Sequence, residues 1–229
     1  MDEVSGRIAR AAARAGRDPR SVVLVAVAKT VAAAALREAV ACGLTDLGEN
    51  RVQEAETHVG ALGRTAARWH MIGHLQRNKA SRAAELFDLI HGVDSAALAE
   101  VLSRRAAAAG RRLPVLIEVN VSGEASKFGV APDSLDPLLE NVAGLPGLAL
   151  DGLMTVGAPV GRAEDARSGF ARLRTLRDRA EKTLGRPLPE LSMGMSGDFE
   201  VAVEEGATLV RIGTALFGGR NVQGGTTCS

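Results

Sequence analysis

The run Val22-Val23-Leu24-Val25-Ala26-Val27-Ala28 is apolar at every position and rich in β-branched residues. A strand with one wet face alternates apolar and polar residues. A run without alternation reads as a strand buried on both faces, the condition of a parallel sheet. Parallel strands need crossover helices, and an Ala-rich stretch from Ala32 to Ala41 follows at once, stopping near Gly43. The alternation then recurs, with strands predicted over residues 45–48, 68–72, 86–93, 114–121, 149–154, 190–193 and 208–212. Helical stretches lie between them. Ser95 is placed to cap a helix with Leu98, Val101 and Leu102 on one face. Leu135, Leu138, Leu139 and Val142 repeat that stripe, with Pro137 tolerable only in the first turn. Phe170, Leu173, Ala180 and Leu184 mark a longer helix whose other face is full of Arg.

Eight strands, each leading into a helix, predict a parallel sheet with right-handed crossovers. In a chain of 229 residues that count fits a closed (β/α)8 TIM barrel, and an open doubly wound sheet is the alternative. No Ser/Gly/Pro-rich linker breaks the pattern, so residues 1–220 are expected to form one domain. An extra helix over residues 2–15 packs outside the barrel, and 221–229 is expected to be a disordered tail.

Composition removes several function classes. The net charge is +1, from 28 Lys+Arg and 27 Asp+Glu, which argues against a nucleic-acid footprint and a polybasic membrane anchor. The opening residues carry charges throughout, and no apolar run approaches the length of a membrane span. Cys42 and Cys228 lie far apart and can make neither a disulfide scaffold nor a four-thiolate zinc site. A cytoplasmic protein is expected. Of the basic residues only four are Lys (Lys29, Lys79, Lys127 and Lys182), and there is no Tyr.

In a barrel, chemistry gathers where the strands end. Those ends are Lys29-Thr30, Gly48-Glu49-Asn50-Arg51, Met154-Thr155, the segment from Ser192 to Asp198, and Arg211-Ile212-Gly213-Thr214. Gly-rich turns with small hydroxyls after strands seven and eight are where barrels build phosphate sites, from backbone N–H groups and a helix N-terminus. Ser196-Gly197 is expected to open the helix carrying Val201, Ala202 and Val203, and Gly213-Thr214 the terminal one. Ordinary turn and N-cap chemistry favours the same residues, so both readings stand. Lys29 follows a fully apolar strand and is expected inside the barrel or at its mouth. A desolvated amine is the nucleophile for a Schiff base, a role closed to arginine. A strand-end lysine reaching solvent is the plain alternative. A lysine facing a phosphate site across a barrel mouth suits a molecule with both an aldehyde and a phosphate, namely pyridoxal phosphate.

Several segments carry a resemblance. Val25-Ala26-Val27-Ala28-Lys29-Thr30 and Leu47-Gly48-Glu49-Asn50-Arg51-Val52-Gln53-Glu54 resemble signatures of the pyridoxal phosphate homeostasis proteins, the YggS/PROSC family. Trp69-His70-Met71-Ile72-Gly73-His74-Leu75-Gln76-Arg77-Asn78-Lys79 is similar to a third, the most specific. The stretch from Glu118 to Gly129, Gly152-Leu153-Met154-Thr155, and the stretch from Leu191 to Phe217 match further ones. The resemblance implies a barrel like the cofactor domain of alanine racemases, without their second domain. It assigns the Schiff base to Lys29 and phosphate contacts to Ser196, Gly213 and Thr214. Arg211 would face the pyridine nitrogen, and Asn50, Met154 and Gly197 complete the expected cofactor-binding set.

The role so implied is intracellular vitamin B6 homeostasis: storing, buffering or delivering pyridoxal phosphate, with apoenzymes that use it as partners. A monomer or weak dimer is expected. The alternatives are an amino-acid enzyme using the cofactor, such as a racemase, and a phosphate-sugar isomerase or aldolase on the same barrel. His70, His74 and His91 lack the spacing of a helix-borne zinc pair and read as hydrogen-bonded structure, so no metal is expected. Glu54 reads as a solvated helix residue, Asp198 as a first-turn acid, and Met154 and Met195 as core fillers. Lys79 and Lys127 could serve an anion or a partner at the rim.

Overall fold

A computed structural model describes residues 1–124, 126–157 and 161–218. Its strands are β1 (Val23–Val27), β2 (Asp46–Glu49), β3 (Arg68–Met71), β4 (Leu89–Val93), β5 (Leu113–Glu118), β6 (Leu148–Met154), β7 (Glu190–Met195) and β8 (Leu209–Ile212). Each pairs in parallel with the next, and β8 returns to β1, closing the barrel in sequence order. The (β/α)8 arrangement is therefore the closed one and not the open sheet. Helix α1 (Asp2–Arg14) precedes the barrel; α2 (Ala33–Ala41), α3 (Val52–Leu62), α4 (Ala80–Leu86) and α5 (Ala96–Ala108) connect its first half. The second half uses α6 (Leu135–Ala143), α7 (Arg167–Leu184), α8 (Phe199–Glu204) and α9 (Thr214–Phe217).

Two apolar layers hold this together. The larger lies between strands and helices and includes Trp69, Phe87, Phe170 and Phe199, each at most 1% exposed. Burying a side chain of that size contributes about 1.5–3 kcal/mol. The smaller fills the barrel interior with Val25, Ile72, Leu89, Leu116, Met154 and Leu209. Gly48 belongs to that packing, since a Cβ there would come within 2.9 Å of both Ile72 and Val25. Outside the barrel, α1 lies on α8: Arg7 pairs with Glu200 at 2.8 Å, and its guanidinium sits 4.6 Å above the Phe199 ring.

The departures from expectation are local. The strand expected from residue 86 begins at Leu89, because α4 runs on through Leu86. The strand expected to reach Val121 ends at Glu118, leaving only a bridge between Val119 and Val130. Ser95 occupies the N-cap of α5 but its hydroxyl caps nothing. The apolar stripe of α6 is buried as expected, and Pro137 falls in its first turn. The tail 221–229, with Cys228, lies outside the described residues, as does Arg220. Among the described residues no helix is long and apolar enough to cross a membrane.

Candidate functional site

Because all eight strands are parallel, their C-terminal ends share one face, and the expected residues meet there. Lys29 and Thr30 leave β1 in a tight turn closed by the Val31 amide donating to the Ala28 carbonyl at 2.9 Å. Lys29 is exposed at the mouth, so the structure rejects a lysine inside the barrel. Thr30 sits at φ 63, the one non-glycine residue at positive φ among those described. A β-branched residue there is strained by about 1–3 kcal/mol, a cost that surrounding contacts must offset.

One such contact comes from the end of β2. Glu49 is fully buried, and its Oε1 lies 2.5 Å from His58 Nδ1. His58 Nε2 lies 3.1 Å from the Val31 carbonyl, so α3 clamps the turn that carries Lys29. Burial pushes the Glu49 carboxyl above its ordinary value, against the pull of the His58 contact, and Glu54 nearby pushes the same way. Glu54 is not the solvated residue expected: it is half-buried, with Oε2 enclosed and unpartnered. Asn50 follows, half-buried, its backbone so close to Gly73 that a Cβ there would meet the Asn50 carbonyl at 2.5 Å.

The turns after β7 and β8 converge. Ser196 Oγ accepts from the Gly213 amide at 3.3 Å and from the Ala215 amide at 3.5 Å. Gly213 stands against β1, where a Cβ would lie 3.2 Å from that of Val27. The cradle therefore abuts the strand that leads into the Lys29 turn. Thr214 begins α9 as expected, and is exposed. Gly197 is exposed with open space where a Cβ would be, so nothing steric requires a glycine there. Ser196-Gly197 does not open α8, which starts at Phe199 with Asp198 as its N-cap residue. Asp198 spends its carboxylate on the turn instead, accepting from the Met195 amide at 2.6 Å. Met195 is 38% exposed and no core filler, whereas Met154 is fully buried in the barrel interior.

Below this cradle Arg211 lies inside the barrel. Its Nη1 donates to Ser192 Oγ at 2.5 Å and its Nη2 to the Thr155 carbonyl at 2.8 Å. Burial brings its pKa down to about 10, with Glu118 and Asp198 opposing the fall, so it stays cationic at neutral pH. Glu118 ends β5, which stands across an eight-stranded barrel from β1. Its Oε2 is buried with no hydrogen-bond partner, and burial with Asp94 nearby raises it to about 7. Sequence reading missed Glu118, His58 and Ser192 as site residues. The signal available for Glu118 was its place at a strand end, whereas His58 is one helix residue among many.

The histidines separate into two groups. His70 and His91 bond to each other inside the barrel at 2.9 Å. His74 lies at the mouth, 3.4 Å from Asp94 and stacked on Phe128 with ring centroids 3.8 Å apart. Lys127 lies 2.9 Å from Glu124, and Lys79 is half-buried at the start of α4.

Residues 1–221 match the model of the alanine racemase N-terminal domain. The chain is 49% identical over 219 residues to a pyridoxal phosphate homeostasis protein of Pseudomonas aeruginosa, covering 96% of this chain and 94% of that one. It is 46% identical to the Aquifex aeolicus protein of the same name, covering 96% of each. Among solved structures, PipY of Synechococcus elongatus with PLP bound superposes with a TM-score of 0.81 at 40% identity, over 92% of this chain and all of that one. This chain belongs to the family of the pyridoxal phosphate homeostasis proteins, built on the alanine racemase N-terminal domain.

Proposed function

We propose that this chain binds pyridoxal 5'-phosphate covalently through Lys29 and serves in the cytoplasm to store, buffer or deliver it to apoenzymes. In this role residues 1–220 would act as one domain. The observation that carries the proposal is the pair of loop amides, Gly213 and Ala215, gathered on Ser196 Oγ beside the strand that leads into the Lys29 turn. Bonds of 3.3 and 3.5 Å are long for N–H···O, so these donors are poised for a stronger acceptor. A phosphate oxygen is such an acceptor, and the residues present fit the group. The cofactor supplies an aldehyde that condenses with a primary amine, together with a ring that withdraws electrons.

The remaining work belongs to the protein. Ser196, Gly213 and Thr214 would hold the phosphate, with Gly197 in the same turn. Arg211, cationic and buried, would meet the ring nitrogen while keeping protons away from it. Asn50 and Met154 would line the pocket. His58, through Glu49 and the Val31 carbonyl, keeps the Lys29 turn in its strained shape. PipY with PLP bound and the names of the curated relatives support the ligand. Incubation of the purified protein with pyridoxal phosphate, then borohydride and peptide mass mapping, tests the reading. A reduced adduct on the Lys29 peptide is expected; an adduct on another lysine, or none, overturns it.

A further inference from the structure

A chain of hydrogen-bonded polar groups threads the barrel interior. It starts at Asp46, the first residue of β2, 7% exposed, whose Oδ2 accepts from the Thr45 hydroxyl at 2.6 Å. His70 Nε2 lies 2.8 Å from Asp46 Oδ1, and His70 Nδ1 lies 2.9 Å from His91 Nε2. His91 Nδ1 then crosses to β7, 2.8 Å from Ser192 Oγ, which also accepts from Arg211 Nη1. His70, His91 and Ser192 are fully buried.

These distances allow one direction of donation. Burial lowers the pKa of both histidines, so each is neutral with a single N–H. Around His70, Asp46 and Asp88 act against burial and Arg68 with it; around His91, His70, Arg211 and Arg68 all favour the neutral ring. The hydrogen bonds from His70 and Thr45 outweigh burial and keep Asp46 below the usual carboxylate range, so it is ionised and can only accept. His70 must therefore carry its proton on Nε2, leaving Nδ1 bare. That bare nitrogen needs the Nε2–H of His91, which leaves His91 Nδ1 bare in turn. Only the Ser192 hydroxyl can donate to it, and its lone pairs are then left for Arg211. The reverse direction would aim an imidazole lone pair at a carboxylate.

Resting on the ligand reading above, we infer that Asp46, His70, His91 and Ser192 form a one-way hydrogen-bond relay that fixes the Arg211 guanidinium where it meets the cofactor ring. They are positioning residues, not groups in contact with the ligand. Replacing a buried polar network by apolar side chains of equal volume is often neutral or stabilising, and Val25, Leu89 and Leu116 already fill part of the interior in that way. What an apolar filling cannot supply is a directed acceptor for a buried guanidinium.

The imidazole nitrogen shifts of the unloaded, 15N-histidine-labelled protein provide the first test. Both His70 and His91 should show a protonated Nε2 and a bare Nδ1, unchanged across the neutral pH range; a protonated Nδ1 on either, or a titrating ring, overturns the relay. In Asp46→Asn, whose amide both donates and accepts, His70 should populate both tautomers. A single unchanged tautomer would remove Asp46 as the group that sets the direction. In Ser192→Ala loaded with pyridoxal phosphate, release should be about tenfold faster, the equivalent of roughly one hydrogen bond. The visible maximum should also shift while the covalent stoichiometry holds, and Ser192→Thr should restore both. An unshifted maximum with release at the wild-type rate overturns the positioning role. Should the wild-type protein take up no pyridoxal phosphate, the role assigned to the relay falls with the ligand reading, while the nitrogen shifts still report whether the relay exists.

Discussion

At Lys29 the strained backbone and the proposed chemistry coincide. The lysine occupies a tight turn whose next residue, Thr30, is held at φ 63, and the hold comes from the Glu49–His58–Val31 clamp. Strain of this kind persists where the surroundings over-determine it, as they do here. Lys29→Ala should keep the fold, because the exposed side chain contributes nothing to the core. It should lose the borohydride-trapped mass and the visible absorption while retaining noncovalent affinity through the cradle; a trapped adduct in the variant would place the covalent bond elsewhere. Glu118 carries a different prediction. Its carboxyl has an ordinary value of 4.5 and is raised to about 7 in the fold, so the folded protein binds that proton more tightly. Its contribution to stability is therefore full below 4.5, falls as pH rises towards 7, and is level above. The whole span amounts to about 3 kcal/mol. Urea midpoints measured across this range should fall more steeply with pH for wild type than for Glu118→Gln, and parallel profiles would refute the assignment.

Among the elements, the two turns at β7 and β8 act as one device, since Ser196 in the first holds amides of the second. Ser196→Ala should weaken pyridoxal phosphate binding by about 1–2 kcal/mol, because the backbone donors remain. Gly213→Val should cost more, since even a Cβ would crowd Val27 at 3.2 Å. Equilibrium titration of both variants checks the order, and normal binding by Gly213→Val would mean that the phosphate lies elsewhere. These turns were legible in the sequence because glycine and small hydroxyls punctuate the ends of apolar runs. So were the eight strands, because runs such as Val22 to Ala28 admit few other readings. The same property hid the interior. A strand buried on both faces does not alternate, so nothing marks which of Trp69, His70 and Met71 points inward, and the His70–His91–Ser192 chain was unreadable. Glu54 misled for a related reason: its helical position suggests a wet face, while its neighbours enclose its carboxylate.

For the molecule as a whole, the distribution of acid/base groups around the mouth decides between holding a cofactor and turning over an amino acid with it. Racemisation takes a proton from one face of the reacting carbon and returns one to the other, which calls for two positioned groups on opposite sides. Lys29 can supply one. The sequence contains no Tyr, so a second copy of this chain cannot bring one either. Across the barrel stands Glu118, with a pKa suited to proton transfer, but it is 5% exposed and closely packed: a Cβ on Gly92 would lie 3.3 Å from its Oε2. Arg211 works in the same direction. A guanidinium that stays cationic, set beside the ring nitrogen as proposed, would keep it unprotonated, and an unprotonated ring draws electrons from the reacting carbon less strongly. The expected outcome is a protein that binds pyridoxal phosphate and does not invert alanine or serine at an enzyme-like rate. Solvent-deuterium incorporation at the α-carbon of either amino acid, measured at saturating cofactor, checks this. Exchange with inversion at ~1 s⁻¹ or faster would place the protein among ordinary enzymes and sink the carrier reading. Its loss in Glu118→Gln would then identify the opposing group.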